Sequence, residues 1–185
     1  MPHKAVFLDR DGVLNDNRRP VNRPEDLILF PWAAAAVANL NSAGFFVFIV
    51  TNQGGIELGY ITPAQLEAIH QRLLALLREK NAVIDRIAYC PHFHKKCRCR
   101  KPHPGMLLEL SAAHHVQLTD SWMIGDREED IGAGNSAGCR TIKLGEPVPH
   151  ATYTCGNLAQ AVEYILDRQQ GSRPLGRAAI GNRIL

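Results

Sequence analysis

No apolar run in this 185-residue chain approaches the roughly 18 residues that span a bilayer. One such run, Gly44 to Val50, has the length of a buried strand. Met1-Pro2-His3-Lys4 leads straight into an apolar stretch, without the apolar segment or cleavage site of a secretion signal, so the expected location is cytoplasmic. Internal repeats and low-complexity tracts are absent as well, which excludes collagenous and wholly disordered chains. Acids are missing from residues 168–185, where Arg168, Arg173, Arg177 and Arg183 all fall. An even cysteine framework is also lacking. The five cysteines are an odd number in a chain without a secretion signal, which argues against a disulfide scaffold.

What is present is globular. Hydrophobic residues make up 45% and charged residues 21%, enough for one domain with its own core. The 21 basic and 18 acidic residues give +3, and without the four arginines of 168–185 the balance is 17 minus 18, or −1. A second basic cluster is Lys95, Lys96, Arg98, Arg100 and Lys101. No dispersed basic face remains, so neither nucleic acid nor a membrane is expected as partner.

Short apolar runs alternate with helical patterns. Strands are expected at Ala5–Leu8, Phe45–Val50, Arg86–Tyr89, Ser121–Ile124 and Arg140–Leu144, the first two without polar alternation, as in strands buried on both faces. Helices are expected over Ala33–Asn41, from Thr62 to about Lys80, over Met106–His114, up to about Ala137, and over Leu158–Arg168. Thr62-Pro63-Ala64-Gln65 reads as a capping box with proline in the first turn. The pattern predicts an α/β fold, a Rossmann-like parallel sheet with helices on both faces, as a single domain over 1–168 with a flexible basic tail over 169–185. In such sheets ligands sit beyond the carboxyl ends of the strands, where Asp9, Thr51 and Asp126 lie.

Asp9-Arg10-Asp11-Gly12 follows the first strand directly. Alone it reads equally as a turn, but two carboxylates at this junction can divide nucleophilic attack and proton transfer between them. A carboxylate attacking a phosphate dianion needs a cation, and Asp126 and Asp130 complete an oxygen-only set suited to Mg2+. A second constellation is Cys90-Pro91-His92 with Cys97-Arg98-Cys99, the zinc loop of residues 90–99. Three thiolates and one imidazole suit a closed, tetrahedral, structural Zn2+ site, with His94 the alternative to His92. The loop leads into Arg100-Lys101-Pro102 and so bears on where Lys101 sits.

Asp9-Arg10-Asp11-Gly12-Val13, Val50-Thr51-Asn52-Gln53, Arg100-Lys101-Pro102 and Gly125-Asp126-Arg127-Glu128-Glu129-Asp130 resemble, in order, the four motifs of the haloacid dehalogenase (HAD) superfamily of phosphatases. The resemblance implies a phosphoaspartyl mechanism. Asp9 is then the nucleophile, Asp11 the general acid/base, Thr51 and Lys101 the groups that hold and neutralise the phosphoryl group. Mg2+ would be held by Asp9, the Asp11 carbonyl and Asp126, with Asp130 a further candidate behind them. The short stretches between motifs leave room for only a minimal cap.

Within the superfamily, the zinc loop and Lys101-Pro102-His103-Pro104-Gly105-Met106 resemble the D-glycero-D-manno-heptose 1,7-bisphosphate 7-phosphatases and, less closely, the histidinol-phosphate phosphatases. The first resemblance implies a small phosphorylated sugar as substrate and a monomer. It places Asn17, Arg18, Arg19, Pro20, Asn52, Gln53 and Gly54 along the substrate, Arg100 on the distal phosphate or sugar, and Arg127 beside the metal. The chain departs from the family's Thr-Asn-Gln-Ser-Gly-Ile-Ala-Arg-Gly at Gly54 and Leu58, and Arg18 and Arg19 are candidates to compensate. Glu57 is the acid that a cationic histidinol phosphate would want. The non-enzymatic alternative is a zinc-stapled module binding an anionic partner through the basic loop and tail.

Overall fold

The computed structural model describes residues 3–94 and 96–171. Six strands form one sheet: β1 (Ala5–Leu8), β2 (Phe46–Asn52), β3 (Arg86–Cys90), β4 (Trp122–Gly125), β5 (Arg140–Leu144) and β6 (Tyr153–Cys155). Their order is β3-β2-β1-β4-β5-β6 and every neighbouring pair is parallel. The helices are α1 (Ala33–Ser42), α2 (Pro63–Arg78), α3 (Gly105–His114), α4 (Glu128–Ala137) and α5 (Leu158–Gly171).

The central strands β1, β2 and β4 read as apolar runs because both faces are covered. Val6, Leu8, Val47, Ile49, Trp122, Ile124 and Ile142 pack with residues of α1, α2 and α5. Their neighbours in the pleat, Phe7, Phe48, Val50 and Met123, pack with Met106, Leu107 and Leu110 of α3 and Ala133 of α4. Helix α2 starts as expected: Thr62 accepts from the Gln65 N–H at 3.2 Å, and Gln65 accepts from the Thr62 N–H at 2.8 Å. Among the described residues no helix is long and apolar enough to cross a membrane.

Two differences from the expected elements stand out. Strand β6 carries only Tyr153, Thr154 and Cys155 at the sheet edge, none of them buried, so it leaves no apolar run to read. Helix α5 continues past Arg168 to Gly171, so the tail expected over 169–185 begins helically. The rest of that tail lies outside the described residues.

Chain order reverses at β1, which leads to β2 on one side while β4 returns on the other. This switch point opens a crevice over the carboxyl ends of β1, β2 and β4.

Candidate active site

Asp9 leaves β1 at this crevice, its N–H donating to the Ile124 carbonyl at 3.0 Å. Asp9 is 6% exposed, and its carboxylate accepts from Lys101 Nζ at 2.9 Å. Lys101 also reaches Asp130 Oδ1 at 2.6 Å and donates to the Val50 carbonyl at 2.7 Å. Asp130 Oδ2 accepts the Arg127 N–H at 3.0 Å, so one side chain caps α4 and anchors the lysine. Burial pushes the Asp9 carboxyl up to about 6; Lys101 opposes the rise, while the charges of Asp130 and Asp11 add to it. Burial alone would lower Lys101, but Asp9 and Asp130 overcome it and hold the ammonium above the ordinary lysine range.

Asp126 follows β4. Its Oδ2 accepts from Asn17 Nδ2 at 3.1 Å, while its buried Oδ1 has no hydrogen-bond partner. Burial raises this carboxyl too, and the charge of Asp9 adds to the rise. Oxygens of Asp9, Asp126 and Asp130 lie within 4.8 Å of one another. A hard, oxygen-only set with an orphaned buried carboxylate oxygen fits Mg2+. Gly12 makes the approach of these loops feasible. Its φ is +84°, and a Cβ there would stand 2.2 Å from Asp126 Oδ2.

Asp11 is held from three sides. Arg10 Nη2 donates to its two oxygens at 3.0 and 2.8 Å, Asn15 Nδ2 to Oδ1 at 2.9 Å, and Gln53 Nε2 to Oδ2 at 3.1 Å. Burial pushes its carboxyl up, but the Arg10 guanidinium and these donors prevail and hold it below the usual range. Gln53 Nε2 also lies 2.9 Å from Thr51 Oγ1. Asn52 instead clasps the Lys101 backbone, accepting from its N–H at 3.0 Å and donating to its carbonyl at 3.1 Å.

Asp9, Asp11, Thr51, Arg100, Lys101 and Arg127 line a cavity of about 130 Å³, the room of a phosphate group rather than a sugar ring. A wider cavity of about 760 Å³ shares Arg127 with it and adds Asp126 and Lys143. Arg18, Arg19 and Pro20 are not among the lining residues of either; they border a separate hollow, and Arg18 is paired with Asp16.

Beside the crevice, the end of β3 turns into the cysteine loop. Cys90 Sγ lies 3.6 Å from His92 Nδ1, 3.6 Å from Cys97 Sγ and 3.1 Å from Cys99 Sγ, and Cys99 Sγ lies 3.5 Å from His92 Nδ1. With Zn–S bonds of about 2.3 Å, the edges of a thiolate tetrahedron measure about 3.8 Å, so these four atoms fit a closed Zn2+ site after small adjustments. His94 is outside the group, and so are Cys139 and Cys155.

The family model described as "HAD-hyrolase-like" matches residues 98–150. The D-glycero-beta-D-manno-heptose-1,7-bisphosphate 7-phosphatase of Rhodopseudomonas palustris is 41% identical over 142 residues, covering 72% of this chain and 79% of that protein. The enzyme of the same name from Pseudomonas aeruginosa is 36% identical over 177 residues, covering 90% and 99%. This chain belongs to the D-glycero-beta-D-manno-heptose-1,7-bisphosphate 7-phosphatase family. A solved D,D-heptose 1,7-bisphosphate phosphatase from B. bronchiseptica, complexed with magnesium and phosphate, superposes with a TM-score of 0.84 at 33% identity, covering 89% of this chain and 99% of that one.

As a member of this family the chain is a phosphoric monoester hydrolase with the HAD-like α/β fold, which sets aside the non-enzymatic binding module. Arg10 and Gly125 lie inside motif blocks that give them no task, and Asn15 lies outside all four. Arg10 is 1% exposed, and it and Asn15 hold Asp11. Their signal, two polar residues in a loop that opens on a strand end, is too common to act on. Gly125 is a third. A Cβ there would lie 2.1 Å from Asp130 Oδ2 and Cβ, inside the residue that anchors Lys101. Gly125→Ala is therefore expected to destabilise the domain by about 2–3 kcal/mol through overpacking, read as a lower urea midpoint at unchanged m-value.

Proposed function

We propose that this member of the family removes the 7-phosphate of D-glycero-D-manno-heptose 1,7-bisphosphate through a phosphoaspartyl intermediate on Asp9, with Mg2+ at Asp9, the Asp11 carbonyl and Asp126 and Zn2+ at Cys90, His92, Cys97 and Cys99. The observation that carries the chemistry is the Lys101 ammonium 2.9 Å from Asp9 and 2.6 Å from Asp130, beside the partnerless Asp126 Oδ1. The substrate comes from the names of the relatives.

In this reading Asp9 attacks phosphorus, the bond from phosphorus to the sugar oxygen breaks, and Asp11, which lies below the usual range in the free enzyme and so takes up a proton as substrate binds, gives that oxygen its proton. Water then attacks the phosphoryl group on Asp9, Asp11 takes the water's proton, and inorganic phosphate leaves with Asp9 regenerated. Thr51 and Lys101 hold the transferring oxygens and offset their charge. Bound Mg2+ supplies charge neutralisation between the Asp9 carboxylate and the phosphate dianion. Arg100 and Arg127 receive the rest of the substrate. Asn52 and Gln53 act through Lys101, Asp11 and Thr51 (the groups they bond), and Asn17 orients Asp126.

Glu57, the acid available to a histidinol phosphate, accepts the N–H groups of Phe93 and His94 and thereby ties the zinc loop to the segment after β2. That use favours the heptose substrate. The enzyme works, in this account, as a cytoplasmic monomer with no nucleic-acid or membrane partner.

Phosphate release from a panel of phosphorylated metabolites tests this. The highest kcat/KM should fall on the heptose bisphosphate. EDTA should abolish activity, Mg2+ should restore it, and Zn2+ alone should not. A preference for histidinol phosphate, or full activity in EDTA, would refute the proposal.

A further inference from the structure

Gly54 carries no positive φ, so its conformation does not require glycine. Space does. A Cβ at Gly54 would stand 2.9 Å from Phe93 Cδ2, 3.1 Å from Phe93 Cβ and 3.2 Å from Arg100 Nη1. The Arg100 guanidinium carbon lies 5.3 Å from the centre of the Phe93 ring, over its face, and Nη1 donates to the His92 carbonyl at 2.8 Å. Both contacts come from the zinc loop. That loop is tied to the segment after β2 by the Gln53 N–H to the Cys90 carbonyl at 2.8 Å, the Glu57 N–H to the Pro91 carbonyl at 3.2 Å and the Phe93 N–H to Glu57 Oε2. Three pieces, from residues 53–57, 92–93 and 100, therefore close around one point.

Phe93 is 48% exposed, although it packs on Gly54 and Arg100. An aromatic ring left half in water adds little to the core. Its face does hold a cation, and Arg100 is the cation on the wall of the phosphate-sized cavity. A long arginine side chain at a cavity mouth samples many rotamers, and an affinity that depends on it falls with every one that points away. One hydrogen bond and one ring face fix the guanidinium and leave its other donors for the substrate.

We infer that Phe93 is a positioning residue for Arg100: the ring, seated in the space that Gly54 leaves, fixes the guanidinium to receive the second anionic group of the substrate. This rests on the proposed bisphosphate substrate and names the residues that set specificity for it. Gly54, where relatives by resemblance carry serine, and Phe93 then form one matched pair. The departure at Gly54 makes room for an aromatic brace.

The test is a double-mutant cycle in the full-length, zinc-loaded, Mg2+-supplied enzyme, with KM and kcat measured on the heptose bisphosphate and zinc content measured in each protein. Phe93→Ala is expected to raise KM about 3- to 10-fold with kcat within about 2-fold, the scale of one lost cation–π brace. Phe93→Tyr should restore the wild-type KM. Arg100→Ala should raise KM at least as far, and Phe93→Ala combined with it should add nothing further. Gly54→Ala crowds both the ring and Arg100 Nη1 and should also raise KM. Phe93→Leu, which keeps an apolar side chain on the loop but has no ring face, should show the KM rise of Phe93→Ala and decides the matter if Phe93→Ala loses zinc.

Independent effects that multiply in the double variant would show the ring contacting substrate directly and overturn the inference. So would an unchanged KM in Phe93→Ala or Gly54→Ala while Arg100→Ala has its effect. An unchanged KM in Arg100→Ala would overturn it by a different route, by removing the role of Arg100 in the proposed function itself.

Discussion

Asp9→Asn is expected to reduce turnover by at least about 10,000-fold while zinc content and fold persist. The amide is close in shape to the carboxylate but cannot attack phosphorus, and the other carboxylate on Lys101, Asp130, is engaged with the Arg127 N–H at the start of α4. Acid-quenched wild-type enzyme should carry a phosphoryl group on Asp9 by mass, and the variant should carry none. Activity within tenfold of wild type would sink the nucleophile assignment.

The same substitution should raise stability in the metal-free protein. Burial pushes the Asp9 carboxyl up to about 6 from an ordinary value of 3.8, so the folded state holds this proton more tightly than the unfolded chain. For an acid shifted upward, folding loses stability as pH climbs from about 4 to about 6, and the full cost persists above that. Two units correspond to about 3 kcal/mol at neutral pH, relative to a neutral side chain. Asn at this position should therefore melt higher than wild type at pH 7, with the gap closing as the pH falls to about 4. Added Mg2+ should narrow the gap from the other side, since it stabilises only the carboxylate. A wild-type protein more stable than the variant at pH 7 without metal would show that Asp9 is not under charge stress.

The four motif blocks were legible because each requirement they meet is local. Asp9, Thr51 and Asp126 lie at strand ends, and strand ends show as the close of an apolar run. The Thr62 capping box is equally local and forms as read. The proposed zinc ligands fall within ten residues, so spacing alone collects the cluster.

The rest depends on contacts that sequence separation hides. Asn52 meets the Lys101 backbone across the β2–β3 side of the crevice. Glu57 reads as a substrate acid and becomes a tie for the zinc loop instead. Arg18 and Arg19 read as neighbours of the nucleophile, yet Arg18 turns to Asp16 and both border a separate hollow. His70 lies on the buried face of α2, where burial and the nearby Arg10 charge push its imidazole down to about 4 and keep it neutral. A helical pattern shows the face, but nothing in it shows the arginine beneath.

Lys101→Met is the second substitution with a large expected effect, and it acts on fold and chemistry together. Lys101 is 3% exposed and is the cation held between Asp9 and Asp130. Methionine fills much of the same volume and leaves both carboxylates buried without it. Removing one partner of a buried ion cluster costs about 3–5 kcal/mol, against a total stability of about 5–15 kcal/mol for a domain. Asp9 and Asp130 hold the lysine above its ordinary range, so this stabilisation is complete below about pH 10 and is lost only as pH rises through the folded value. On the carboxylate side, Asp9 already sits near 6 with the lysine holding it down and rises further without it, so the deficit of the variant should shrink as pH falls through the neutral range in urea titrations. Turnover should fall about 100- to 1,000-fold, the loss of one preorganised charge on the phosphoryl oxygens. Mg2+ should recover part of the stability, because it neutralises Asp9, but little of the turnover, because the lysine's place on the phosphoryl group stays empty. A variant as stable as wild type in metal-free buffer would mean that the paired carboxylates are already protonated, and the charge balance drawn for this site would be wrong.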